Sequence, residues 1–196
     1  MTSERIDYDA LAATTRIEDM TDDDCEPNQE TLRALKSERL LELQICNQPM
    51  TAGEYGVLSD KELGWLGYFV KKNTSLVKFG IHGFDALGKC SEQAVDDFFN
   101  DLGRSSARIN FVYFSFTNVL PRLINKLGPV MKKNGITGWS FSNCTLGNPE
   151  VTSLFGLIRD MEKPNGLHIV TMNSHHPTDN DYHLDDDRTG GLHTST

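Results

Sequence analysis

Ile136-Thr137-Gly138-Trp139-Ser140-Phe141-Ser142-Asn143-Cys144-Thr145-Leu146 is the stretch on which the fold turns. Its apolar residues stand at relative positions 1, 4, 6, 9 and 11, which alternates through the middle as a half-buried strand does. The same spacing recurs along the chain. It yields Leu76, Phe79, Ile81, Phe84 and Ala86, and again Ile109, Val112, Phe114, Thr117 and Val119. An N-terminal copy has Leu40, Leu43, Ile45, Gln48 and Met50, and a C-terminal copy has Leu167, Val170, Met172, His175 and Pro177. Three runs are preceded by a related signature: Val70-Lys71-Lys72-Asn73, Met131-Lys132-Lys133-Asn134 and, more loosely, Met161 to Asn165.

Between these runs the period changes from two to 3.6. Val95, Phe98, Phe99 and Leu102 form one stripe of an amphipathic helix, as do Leu120, Leu123, Ile124, Leu127 and Met131, and Val151, Leu154, Phe155 and Ile158. Leu63, Leu66 and Val70 form a weaker stripe, diluted by Gly64 and Gly67. Ser59 with Glu62 three residues on reads as a capping box, and Asn148-Pro149 as a second helix start. Asn73, Asn134 and Asn165-Gly166 read as stops. The chain thus alternates strand and helix through five strands, with a capping helix expected over Asn28 to Leu35 and a looped-out insertion over Met50 to Leu58.

This pattern resembles the leucine-rich repeat of the ribonuclease-inhibitor-like type, over about residues 28–177. The resemblance implies an α/β solenoid of about five repeats, with a curved parallel sheet inside and helices outside. First positions fall at 40, 76, 109, 136 and 167, and the Asn or Cys usual at position 9 occurs only as Cys144. The physics points the same way. One strand–helix unit cannot bury its apolar face alone, whereas stacked units make a continuous core. A doubly wound sheet would need strands apolar on both faces, and only Phe111-Val112-Tyr113-Phe114 approaches that.

Charge divides the chain in three. Of its 28 acidic residues, 14 lie in 1–27 and 178–196, where Arg5, Arg16 and Arg188 are the only Lys or Arg. The expectation is two acidic disordered tails, 1–27 and 178–196, around a repeat domain of nearly balanced charge. No dense basic surface marks a nucleic-acid binder, no apolar run is long enough to span a bilayer, and the first residues do not form a signal peptide. A cytoplasmic protein is expected, its four cysteines free.

Searches for chemistry give weak candidates. Phosphate-loop, nucleophile-elbow and zinc-protease motifs are absent from the sequence. Cys144 with His168 or His175 could be a nucleophile and base, but Cys144 occupies a repeat position. His175, His176 and His183 among Asp179, Asp181 and Asp185 could hold a metal, though a solvated tail explains them as well. No catalytic, cofactor or metal site is assigned. What remains is a surface. The resemblance places positions 3, 5 and 7 of each strand on the concave face, which brings Phe111 and Tyr113 together with Lys78, His82, Ser140 and Glu42 as candidate partner-binding residues. Small neighbours would leave room for the partner. The alternative is that Phe111 and Tyr113 are core, because a one-residue slip would turn them inward.

The expected function is a non-catalytic protein–protein interaction module binding through the concave face. The alternatives are a regulator of an enzyme, such as a GTPase-activating leucine-rich-repeat protein, or an accessory chain completing a larger solenoid. Self-association through the C-terminal edge strand, around Leu167 to Met172, is a further expectation.

Overall fold

The computed structural model describes residues 6–22, 24–117, 124–128, 130, 136, 138–144, 152–153, 156, 159 and 169–170. The elements are helix α1 (Tyr8–Ala12), a 3-10 turn (Ile17–Asp19), α2 (Glu26–Lys36), β1 (Glu42–Cys46), β2 (Glu54–Tyr55), α3 (Asp60–Lys72), β3 (Lys78–His82), α4 (Glu92–Arg104), β4 (Phe111–Ser115), β5 (Gly138–Ser142) and β6 (Ile169–Val170). Residues 124–128 and 130 are helical between β4 and β5.

The chain is an α/β protein with an all-parallel sheet in the order β2-β1-β3-β4-β5-β6. β3 pairs with β1, and each later strand pairs with the one before it in the chain. Crossovers that advance in one direction with the usual right-handed sense put their helices on one face. Burial agrees: Leu43, Ile45, Phe79, Ile81, Val112, Phe114, Trp139 and Phe141 point into the core. α2, α3 and α4 lie side by side beneath them.

Register follows the repeat spacing through four strands. Leu43, Phe79, Val112 and Trp139 form one column, and Ile45, Ile81, Phe114 and Phe141 the next. Phe114 stacks on Phe141 with centroids 5.3 Å apart, and Phe79 meets Phe98 and Phe99 of α4. The last strand departs from the expected frame. Trp139 pairs with Ile169 rather than Val170, one residue early. Ile169 and Val170 are both apolar, so alternation alone could not fix that register.

Helix ends follow the sequence in part. The Ser59 hydroxyl accepts from the Glu62 amide, as a capping box requires. Asn73 does stop α3, but with extended rather than left-handed backbone. Its buried side chain does the work: Nδ2 donates to the Leu35 carbonyl, and Oδ1 accepts from the Ser75 and Leu76 amides. One coil on, the Ser105 hydroxyl donates to the Asn73 carbonyl. The coils are therefore laddered at the helix exits. At position 9, Thr117 adds a rung to the Ile81 carbonyl, whereas Phe84 points outward, 68% exposed.

The insertion after β1 does not simply loop out. It returns as β2, and α2 caps that edge. Asn28 exchanges two 2.8 Å hydrogen bonds with the Gly56 backbone, and the Thr31 hydroxyl binds the Glu54 carbonyl and the Gly53 amide.

Residues 6–22 depart from the disordered tail expected over 1–27. Tyr8 packs edge-on to Trp65, Ile17 rests on the core and Met20 is fully buried. The acids that suggested disorder instead face solvent and pair: Asp9 with Lys72, Glu18 with Arg33, Asp22 with Lys61. The acidic segment expected over 178–196, and the helix starting at Asn148-Pro149, lie outside the described residues.

Candidate interaction surface

The face of the sheet away from the helices carries a grid of three columns. Position 3 reads Glu42, Lys78, Phe111, Gly138; position 5 reads Gln44, Gly80, Tyr113, Ser140; position 7 reads Cys46, His82, Ser115, Ser142. Phe111 and Tyr113 therefore lie on this face, while Val112 between them and Phe114 after them are core. The inward alternative for the two rings does not hold.

The rings do not stand up into solvent. A Cβ on Gly80 would overlap the Tyr113 ring, and one on Gly138 would overlap that of Phe111. Tyr113 thus lies across β3, and its hydroxyl donates to Gln44 Oε1 of β1 at 2.9 Å. Phe111 lies the other way, across β5. The two centroids are 6.3 Å apart, so the rings pave about four strands. The small residues expected to leave room for a partner are the beds in which these rings lie. Burial, and then the charge of the Glu42 carboxylate, pushes the Tyr113 phenol well above its ordinary range.

The other candidate residues surround this pavement. Glu42 and Lys78 form a half-exposed ion pair at 3.4 Å, of the kind that adds little to stability. His82 Nδ1 lies 2.7 Å from the Ser115 hydroxyl, and its ring meets Phe116 edge-on at 5.5 Å. Ser140 is half-buried beside Tyr113 on β5. All six expected residues thus share one face. Two exposed aromatics, Phe84 and Phe116, stand at its rim, where the strands end. In the sequence Phe84 falls at position 9 of its repeat with nothing to mark it as a surface residue, and Phe116 gives no signal.

Of the residues considered for catalysis, Cys144 alone lies among the described residues. Cys144 is buried, its Sγ donates to the Ser142 carbonyl at 3.5 Å, and burial raises the thiol's pKa, the reverse of activation. His168, His175, His176 and His183 lie outside the described residues. Among the described residues no cluster of metal-ligating side chains occurs, and no helix is long and apolar enough to cross a membrane. Comparison with known proteins found no matching family model, no matching curated protein and no matching solved structure.

Proposed function

We propose that the chain is a short leucine-rich-repeat solenoid, ribonuclease-inhibitor-like with about five repeats, serving as a non-catalytic protein-interaction module in the cytoplasm. Sequential parallel strands, core columns in repeat register and helices on one face support the repeat assignment. The observation that carries the function is the aromatic pavement of Phe111 and Tyr113 on the sheet face that no described helix covers. Flat rings flanked by the Glu42–Lys78 pair, His82 and Ser140 combine apolar anchors with adaptable polar contacts, the make-up of an interaction hot spot. A protein partner is the ligand class; neither nucleic acid nor a membrane surface matches the charge of this face.

A photo-crosslinking residue placed at Ser140 tests the reading. It should capture one discrete partner in cells, and the adduct should disappear in the Phe111→Ser, Tyr113→Ser double variant while that variant keeps its melting temperature. An adduct that survives the double substitution moves the binding surface elsewhere.

A further inference from the structure

The outer side of a helix that flanks a sheet is normally polar. That of α3 is not. Beyond the inward residues Leu63, Leu66 and Val70, the helix carries Trp65, Tyr68 and Phe69, and the segment 6–22 lies over them. Tyr8 is the centre of the cover. Its ring is 4.8 Å from that of Trp65 and stacks on Tyr68 at 6.2 Å, and its hydroxyl lies where a Cβ on Gly64 would be. Gly64 is therefore no dilution of the helical stripe; it is the opening that admits a tyrosine. Beside it, the Lys72 ammonium sits 4.5 Å over the Tyr68 ring and binds Asp9 at 2.5 Å, and Asp9 also accepts from the Tyr68 hydroxyl.

The cover is thin compared with the surface it protects. α1 is five residues long and buries none of them fully. A helix that short has no stability of its own. Its hold is the Tyr8 ring, the small Ala12 side chain and the exposed Asp9 bound to Lys72 and Tyr68, a set of contacts of the kind that opens locally before the molecule unfolds. Two clefts flank it. One, of about 430 Å³, is lined by Ala12, Leu35, Phe69 and Lys72; the other, of about 760 Å³, runs towards α4 past Asp60, Asp97 and Asp101. A ligand larger than α1 therefore fits the same place.

We infer that the outer aromatic face of α3 is a second docking site, occupied in cis by residues 6–15, and that its partner is a protein segment mimicking them. The cis occupant defines the chemistry of that segment. It is a short amphipathic helix carrying an aromatic residue followed directly by a carboxylate: the ring enters between Trp65 and Tyr68 over Gly64, and the carboxylate meets Lys72. A basic residue on the side facing Asp60 and Asp97 complements the wider cleft. The N-terminal segment is then an autoinhibitory clasp, distinct from the sheet face in position and in residues.

The probe is a fluorescent peptide of residues 6–15, titrated by anisotropy into the full chain and into its Tyr8→Ala variant. The competing clasp lowers apparent affinity by the fraction of molecules that are open. Tyr8→Ala, with a weakened clasp, should bind the peptide about tenfold or more tightly than the unaltered chain. A peptide with Tyr8→Ala should not bind, and Lys72→Ala in the protein should weaken only peptides that retain Asp9. Equal binding by both proteins, or none by either, overturns the inference. So does unfolding of the Tyr8→Ala protein, which would make the segment a structural part of the core. A concentration-dependent dimer of the unaltered chain with exchanged N-termini also overturns it, in favour of self-assembly.

Discussion

Gly80→Ala separates a paved surface from a packed core. The alanine methyl would overlap the Tyr113 ring, closer than non-bonded carbons approach. That ring is the far end of a hinged side chain on the open face, so the ring moves and the backbone stays. The displaced Tyr113 loses its hydrogen bond to Gln44, at a cost of about 0.5–1.5 kcal/mol. Against this, Ala is favoured over Gly inside a strand by roughly 0.5–1 kcal/mol. The two nearly cancel, and urea unfolding should show a net change within about 1 kcal/mol. The next residue is the control. Ile81 is a core residue, and Ile81→Ala should cost about 2–5 kcal/mol. Alkaline titration gives a second readout, with Tyr113→Phe identifying the signal. A phenol whose folded pKa is raised contributes stability below its unfolded value near 10, and that contribution is lost as pH rises above it. Swinging the ring out of its bed returns the phenol towards its ordinary range, so Gly80→Ala should blunt this alkaline loss. A penalty above about 3 kcal/mol, beyond ordinary overpacking, or an unshifted phenol would refute the geometry.

Glu62 is fully buried, and its two carboxylate oxygens accept from the Leu58 and Asp22 amides at 2.7 and 2.9 Å. At about 1.5–3 kcal/mol for each hydrogen bond to a charged group, Glu62→Ala should cost roughly 3–6 kcal/mol and Glu62→Gln about half, and a loss under about 1 kcal/mol on urea unfolding would contradict the role. The N-terminal segment should loosen first in acid. Lys72 holds the Asp9 carboxyl below the ordinary range, and Ser59, followed by Lys61, does so for Asp22. Stability from a depressed carboxyl is present above its unfolded pKa and lost as pH falls through the folded one. Hydrogen exchange should therefore show residues 8–22 losing protection below about pH 4 while β3 and β4 keep theirs; simultaneous loss would mean the segment is not a separate unit.

The strand pattern was legible because it rests on period. Positions 4 and 6 of four repeats must enter one core, so their spacing carries the register residue by residue, and the structure follows it from Leu43 to Phe141. Where period is silent, reading failed. Ile169 and Val170 are both apolar, and the last pairing came out one residue off. Residues 1–27 carry many acids, and composition alone cannot see that Tyr8 and Met20 are anchors while Asp9, Glu18 and Asp22 face outward to pair. Gly64 and Gly67 looked like flaws in a helical stripe. Gly64 admits Tyr8, whereas a Cβ on Gly67 would meet α4 at ordinary contact distance, so no close approach requires that glycine. Side-chain direction on the sheet was equally hidden: the sequence places Gly80 and Gly138 beside the two aromatics without showing that the rings lie down on them.

That last difference changes what the open face can bind. Upright rings with small neighbours would make a pocket for a protruding side chain. Rings laid over glycine make a pavement, which suits a partner that spreads over several strands. The rim extends it. Gly83, Phe116 and Asn143 occupy position 8 of successive coils, and all three have left-handed backbone, with φ of 102°, 50° and 52°. Gly and Asn adopt that conformation readily; in a residue such as Phe it costs about 1–2 kcal/mol. Folding does not recover that cost by burial, since the Phe116 ring remains 54% exposed. Its contact is with His82, itself tied to Ser115 of the grid. An aromatic held in strained backbone at an exposed edge, in line with Tyr113 and Phe111, extends the proposed surface from the middle of the strands to their carboxyl ends. A phenylalanine in that backbone, where the neighbouring coils use Gly and Asn, is the kind of local strain that marks the rim of the proposed surface for test by Phe116→Asn.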